Sequence, residues 1–192
     1  PCSTVEEFHL LTRLATHLGT ANIDHRLRQL DFSDDDADAL FPWLGCAIAE
    51  IERCDAILIA GSNLRAEAPI LAHRVRKAAL RGAKVVIAND EPGEYFFDIA
   101  ARLEAADLVE LLSGVVVAAA SGKSVPVSVR QLCKGVSPSA AQRTAAALLA
   151  SVNNGLVLLG QVAIRHPAYS AIRALASAVA DLTGARLGTV SE

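Results

Sequence analysis

The stretch that decides the fold is Ala56-Ile57-Leu58-Ile59-Ala60-Gly61-Ser62-Asn63, together with the later run Lys84-Val85-Val86-Ile87-Ala88. Both apolar runs are short and continuous, which is typical of strands that are buried on both faces of a parallel sheet. Between them, Pro69 stands where a first helical turn tolerates proline, and Gly82 follows the last residue of a helical apolar pattern. The stretch therefore predicts a right-handed βαβ unit.

Further elements extend this unit in both directions. Thr4 and Glu7 form the capping pattern of a helix whose apolar positions run to Leu18, and Pro42 precedes a second short helical pattern. The remaining predicted elements are a short strand at 106–111, a helix at 139–150, a strand at 156–159, a helix at 168–182 and a strand at 185–190. This order predicts an α/β fold, a doubly wound and mostly parallel sheet with helices on both faces, three-layered and Rossmann-like.

Composition excludes several classes of function. The 192 residues carry 18 Lys plus Arg and 21 Asp plus Glu, so the net charge of −3 provides no strong field for nucleic acid or a membrane surface. The longest weakly charged stretch, 111–122, is short of the ~20 residues that a membrane-spanning helix needs. We therefore expect no nucleic-acid partner and no direct membrane insertion.

Two regions are predicted. Residues 1–38 form an N-terminal helix and an acidic connector, and residues 39–192 form the α/β domain. The chain contains no Met, and its last predicted strand ends at Val190. We therefore expect a piece of a longer chain, whose α/β domain is incomplete at its C-terminus.

Motifs for chemistry are weak. Gly122-Lys123-Ser124 resembles the end of a phosphate-binding loop, but Val117 replaces the first glycine of that pattern, so a polar turn is the better interpretation. The turn Gly61-Ser62-Asn63 stands where α/β folds bind anions, and its spacing also fits a tight turn with Asn63 as a local cap. The five His and four Cys show no metal-ligand spacing, and the cysteines are predicted to be free thiols. We nominate no catalytic, cofactor-binding or metal-binding residue.

Two charged segments are noticeable. Residues 31–38 are acidic, and we interpret them as a solvated loop. Residues 65–84 carry a net charge of +5, which fits either the solvated face of the crossover helix or a docking face for an acidic partner. Such a partner would be the run 31–38 or a neighbouring subunit.

Three separated motifs resemble one protein family. They are Asn22-Ile23-Asp24-His25-Arg26-Leu27-Arg28-Gln29, then Phe41-Pro42-Trp43-Leu44-Gly45 running into Ala49-Glu50-Ile51-Glu52, and Gly61-Ser62-Asn63-Leu64-Arg65 with Glu67 and Pro69. The likeness continues through Gly82-Ala83-Lys84 to Leu158-Leu159-Gly160 and His166-Pro167. In this order they resemble the large iron–sulfur subunit of bacterial proton-pumping NADH:quinone oxidoreductase, respiratory complex I.

That subunit is similar in its C-terminal part to molybdopterin oxidoreductases, in which a turn like Gly61-Ser62-Asn63 and an acid such as Asp90 help to hold a guanine dinucleotide. The resemblance to complex I implies a vestige of this domain without molybdenum. Glu91 stands near the place of a familiar basic residue, and a like charge would repel a pyrophosphate by about 1 kcal/mol. No Cys run fits cluster ligation, so we expect no cofactor in this chain and iron–sulfur clusters elsewhere in the parent subunit.

The leading prediction is therefore a structural and assembly domain of complex I, without catalysis of its own. Its partners would be other parts of the same subunit and other subunits, in the peripheral arm on the cytoplasmic side of the bacterial inner membrane. One alternative is part of a molybdopterin guanine dinucleotide-dependent oxidoreductase that binds its cofactor at the turn 61–63. Another is a free-standing module that binds a small molecule above Gly61.

Overall fold

The structure is a computed structural model that describes residues 4–24, 26, 28–37, 42–89, 93–104 and 107–190. Its described strands are β1 (Ala56–Ala60), β2 (Lys84–Ala88), β3 (Ile99–Leu103), β4 (Gly155–Leu159) and β5 (Arg186–Thr189). They form one parallel sheet in the order β3-β2-β1-β4-β5. The predicted α/β fold with a parallel sheet is confirmed.

Helices cover both faces of this sheet. The described α-helices are α1 (Val5–His17), α2 (Leu64–Glu67), α3 (Pro69–Leu80), α4 (Leu108–Ala120), α5 (Val127–Leu132), α6 (Ala140–Ala150), α7 (Gln161–Ile164) and α8 (Tyr169–Thr183), of which α1 does not pack on the sheet. One apolar cluster joins the sheet to α4, α6 and α8, and a second joins it to α3 and to the 3₁₀ helix Ile48–Arg53. Because alternate side chains of each strand point to opposite faces, the continuous apolar runs supply both clusters.

Two local predictions are wrong. Over 107–111, the described part of the strand predicted at 106–111, no strand is formed, because Leu108 begins α4. The carboxylate of Asp107 caps that helix by accepting from the Val109 amide at 2.9 Å. A continuous apolar run fits a buried helix as well as a buried strand. The second short helix is a 3₁₀ helix that starts only at Ile48, and Pro42 lies in irregular chain before it.

The acidic connector is not simply a solvated loop. The Asp31 carboxylate accepts a hydrogen bond from the Ser170 amide at 2.8 Å and so caps α8, whose own N-cap residue provides no side-chain bond. The Arg173 guanidinium donates to the Asp34 carboxylate at 2.9 Å. Hydrogen bonds from Ser170 and Ser33 hold the pKa of Asp31 well below its usual range. The connector is therefore attached to α8, 139 positions away in sequence.

Helix α1 begins with the predicted capping box of Thr4 and Glu7, but none of its residues is buried. None of the described helices is both long enough and apolar enough to span a bilayer. The predicted boundary between residues 38 and 39 lies outside the described residues, as do Cys2, Asp90 and Glu91.

Candidate functional site

The strand order creates a crevice at the carboxyl ends of β1 and β4. The chain leaves β1 toward β2 on one side, whereas β4 lies on the other side, so the connections diverge at this point. In open α/β sheets such a switch point is where ligands bind. The turn after β1 and the turn after β4 line it.

Gly61 forms the first turn and requires its glycine. Its φ of +59° lies in the left-handed region, and a Cβ atom there would stand 2.7 Å from the Ala163 amide nitrogen. Its own amide donates to the Ala88 carbonyl at 2.9 Å, and its carbonyl accepts from Ala163 at 3.0 Å. Gly61 therefore joins the ends of β1 and β2 to α7.

Asn89 holds the next residue, Ser62, which is 1% exposed. The Ser62 amide donates to Asn89 Oδ1 at 3.0 Å, and Asn89 Nδ2 donates back to the Ser62 carbonyl at 2.8 Å. Both bonds join the side-chain amide of Asn89, just beyond β2, to the backbone of Ser62, just beyond β1. The turn is consequently fixed from the neighbouring strand.

The Glu67 carboxylate lies between the two turns. It accepts from the Ser62 hydroxyl at 2.7 Å and from the Asn63 amide at 2.7 Å. It also accepts from the Gln161 amide at 3.0 Å, across the crevice. One half-buried carboxylate thus accepts the hydrogen bonds that both turns direct toward the switch point.

Gly160 allows the two turns to approach. A Cβ atom at this position would lie 2.1 Å from the Ser62 Cβ, so no larger residue fits without moving the turn. The Gly160 amide donates to the Ala60 carbonyl at 3.0 Å. The crevice is narrow because β1 and β4 are in contact up to their ends.

The structure brings the predicted candidates Gly61, Ser62 and Asn63 together in this turn. Asn63 is the N-cap residue of α2, although its side chain forms no cap bond. Sequence reasoning missed the contribution of Asn89 and Glu67. The signal for Glu67 was its position as a lone acid in a basic segment, four residues after Asn63.

Other motifs lie outside the crevice. Gly122 and Lys123 belong to a turn after α4, and Lys123 Nζ donates to the Leu182 carbonyl at 2.8 Å. Cys46, Cys54 and Cys133 are free thiols. Within the described ranges, no group of three or more His, Cys, Asp or Glu residues is placed to hold a metal ion.

Three cations of the basic segment 65–84 contact Glu52, and no described residue of the run 31–37 pairs with the segment. The run 31–38 is therefore not its partner within the described residues, and docking on a neighbouring subunit stays a prediction. Lys77 Nζ lies 2.8 Å from the Glu52 carboxylate, and Arg74 and Arg81 also contact it. Lys77 and Arg74 together lower the pKa of Glu52 to about 2. The acidic run is instead attached to α8 through Asp34 and Asp31.

The fold and crevice define a doubly wound α/β domain whose turns after β1 and β4 meet at the switch point. A sequence profile of the molybdopterin oxidoreductase family matches residues 1–189. The chain belongs to the molybdopterin oxidoreductase family.

Two similar proteins extend the comparison. The probable oxidoreductase YjgC of Bacillus subtilis (strain 168) is 36% identical over an alignment of 94 positions, and the match covers 45% of this chain and 9% of YjgC. A chain of the formyltransferase/hydrolase complex FhcABCD from Methylorubrum extorquens, crystallised with methylofuran, superposes with a TM-score of 0.59 at 18% identity. That superposition covers 94% of this chain and 48% of the other, and it shows a shared fold. This chain therefore spans less than half the length of either protein.

The family implies a molybdopterin cofactor, but the crevice does not fit the pyrophosphate of a guanine dinucleotide. The amides of Gly61, Ser62 and Asn63 are all bonded within the protein, as are those of Gly160 and Gln161. A phosphate at the switch point would find no free amide among these five. It would also meet the Glu67 carboxylate, which would repel it.

Proposed function

We propose that this chain is a structural domain of a larger oxidoreductase and that it does not hold a dinucleotide at the turn 61–63. One observation supports this proposal above the others: Glu67 accepts three hydrogen bonds from the donors of the switch point. A carboxylate carries the same sign of charge as a phosphate and already satisfies these donors. The domain then contributes surfaces for packing, and the redox chemistry belongs to other parts of the protein.

The parent protein in this proposal is the large iron–sulfur subunit of respiratory complex I. The support for this parent is the resemblance of the motifs at 22–29, 41–52 and 61–69, which occur in the family's order. The two similar proteins do not add to it, because neither of them is named as a complex I subunit. The proposal expects the iron–sulfur clusters elsewhere in the subunit. It also expects other subunits as partners and a location in the peripheral arm, on the cytoplasmic side of the bacterial inner membrane.

Helix α1 supports a packing role. It has no buried residue, and large apolar side chains remain exposed along it, with Phe8 50% and Leu14 53% exposed. A helix of 13 residues is marginal without tertiary contacts. Such a helix is stabilised when another surface covers its apolar side.

The direct test is the composition of the purified parent protein. Metal analysis and the fluorescence of released, oxidised pterin are measured for the parent and for this chain expressed alone. We expect iron in the parent, no stoichiometric pterin or molybdenum in either, and assembly of this chain with the remainder of the parent. One pterin per parent protein would overturn the proposal that no dinucleotide is held at the turn 61–63. A stoichiometric iron cluster in this chain expressed alone would overturn the proposed structural role.

The second candidate is cofactor binding at the turn 61–63 in a molybdenum enzyme. Membership of the family favours it, because the family match and the oxidoreductase YjgC agree with it more directly than with complex I. In that case molybdenum and pterin would be stoichiometric in the parent protein. Their loading would fall when Gly61→Val closes the turn, and Ala140→Val, an exposed position outside the crevice, would load normally.

A further inference from the structure

A cavity of about 200 Å³ lies between α3 and the segment that precedes β3. We call it the Phe96 pocket; its floor is formed by Leu64 and Val75, and its walls by Ala72, Tyr95 and Phe97. The walls and floor are almost wholly apolar, and the cavity is open to solvent on one side. It is separate from the crevice at the switch point.

Stacking and hydrogen bonds hold the aromatic side of the pocket in place. The Arg65 guanidinium lies 4.3 Å from the centre of the Phe96 ring and donates to the Glu94 carbonyl at 3.1 Å. Tyr95 and Phe97 pack with ring centres 5.6 Å apart. The pocket is therefore formed before anything binds, which lowers the entropy cost of binding.

The rim of the pocket is basic. Arg65, Arg76 and His73 line it, and none of the described lining residues is acidic. Glu94 and Asp98 belong to the same aromatic segment, but they do not line the cavity. Arg76 is exposed and forms no ion pair with any described residue. The other cations of α3 differ from it, since Arg74 and Lys77 face Glu52.

We propose that the Phe96 pocket receives one aromatic side chain from an acidic segment of a partner polypeptide. The cavity is smaller than the ~300–1,000 Å³ of sites for drug-sized ligands, so it fits one ring and not a dinucleotide. The anchoring of interfaces by single aromatic side chains in preformed pockets is common. Acidic residues beside the anchor complement Arg65 and Arg76.

Exposed apolar side chains beside the pocket favour a protein over a small molecule. Phe96 is 65% exposed, and Ile70, next to Pro69 of the lining, is 66% exposed. A ligand confined to the cavity would leave both in water, whereas a polypeptide lying across the rim covers them. This inference rests on the proposed packing role and specifies the chemistry of one partner.

The test uses a fluorescently labelled peptide with one tryptophan between aspartate and glutamate residues, titrated with the chain in low salt. We expect a Kd of roughly 0.1 mM, and at least tenfold weaker binding when the tryptophan is replaced by alanine or the acidic residues by lysine. Arg76→Glu and Ala72→Phe should weaken binding by about tenfold, through charge and by filling the cavity. Lys84→Glu, an exposed cation outside the pocket, is the matched control and should change binding less than about twofold.

Three results would overturn the proposal. One is no binding up to about 1 mM, and another is equal binding of the lysine peptide. The third is binding of indole-3-acetate as tight as that of the acidic peptide, which would make the pocket a small-molecule site. Arg76 is on the surface, so Arg76→Glu should have the same thermal midpoint as the unsubstituted chain. A loss of binding then cannot be confused with unfolding. Metal and pterin analysis is independent of peptide binding, so failure of the structural role would be visible separately.

Discussion

Replacing Glu67 with alanine tests the central feature of the crevice. The change leaves the Ser62 hydroxyl, the Asn63 amide and the Gln161 amide without their acceptor. Hydrogen bonds to charged groups contribute about 1.5–3 kcal/mol each. Because Glu67 is only half-buried, water replaces part of this, and we expect Glu67→Ala to lower the free energy of unfolding by about 2–4 kcal/mol.

Urea unfolding followed by circular dichroism measures this loss. Glu67→Gln keeps the size of the side chain and one acceptor oxygen, so it should lose about 1–2 kcal/mol. Glu104→Ala is the matched control, because Glu104 is exposed and makes no hydrogen bond or ion pair with the described residues. It should change stability by less than about 0.5 kcal/mol.

A small carboxylate should rescue the alanine variant. Acetate can enter the space that Glu67 leaves and accept hydrogen bonds from the same donors. It should therefore raise the thermal midpoint of Glu67→Ala and not that of the unsubstituted chain. The reasoning is refuted if Glu67→Ala is as stable as the Glu104→Ala control. Equal stabilisation of both proteins by acetate would refute the specific role of the three donors.

Three other predictions concern the connector, the basic segment and the second turn. A double-mutant cycle of Asp34→Ala and Arg173→Ala in urea should give a coupling of about 1–2 kcal/mol, and additive losses would contradict the attachment to α8. Glu52 has a folded pKa of about 2 against its ordinary 4.5, so its stabilisation is present above 4.5 and is lost as pH falls through 2. Glu52→Gln should therefore flatten the pH dependence of stability in that window, and an unchanged slope would exclude Glu52 as its source. Gly160→Ala should destabilise by about 3 kcal/mol or more, and Gly155→Ala, whose Cβ would meet its neighbour at 3.0 Å, should cost less by thermal unfolding.

The central strands could be predicted because their residues satisfy one requirement, burial on both faces. Ala56–Ala60 and Lys84–Ala88 are found with the predicted bounds, and β4 begins one residue before its predicted start. The edge strand β3 was missed because its residues alternate between half-buried and exposed and include Arg102. Its local pattern is shared by many loops.

The contacts of the crevice could not be predicted from spacing. The Glu67 carboxylate meets the Gln161 amide across 94 positions of sequence, and no local pattern records that distance. The turn at Gly61 was recognisable because a glycine directly after a buried strand marks a tight turn, and this signal lies within a few residues of sequence. Asn89 and Glu67 gain their roles only when β1, β2 and β4 are side by side.

The connector between α1 and the sheet has a consequence for how the chain loses structure. It is fastened by polar contacts, such as Asp34 with Arg173 and Arg26 with Asp35 at 2.8 Å, whereas the sheet is held by apolar burial. Salt screens exposed charges and leaves apolar contacts intact. The Ser170 amide, which donates to Asp31 of the connector, should thus exchange with deuterium faster as salt is added while the amides of β1 keep their protection, so one chain has two separate opening energies.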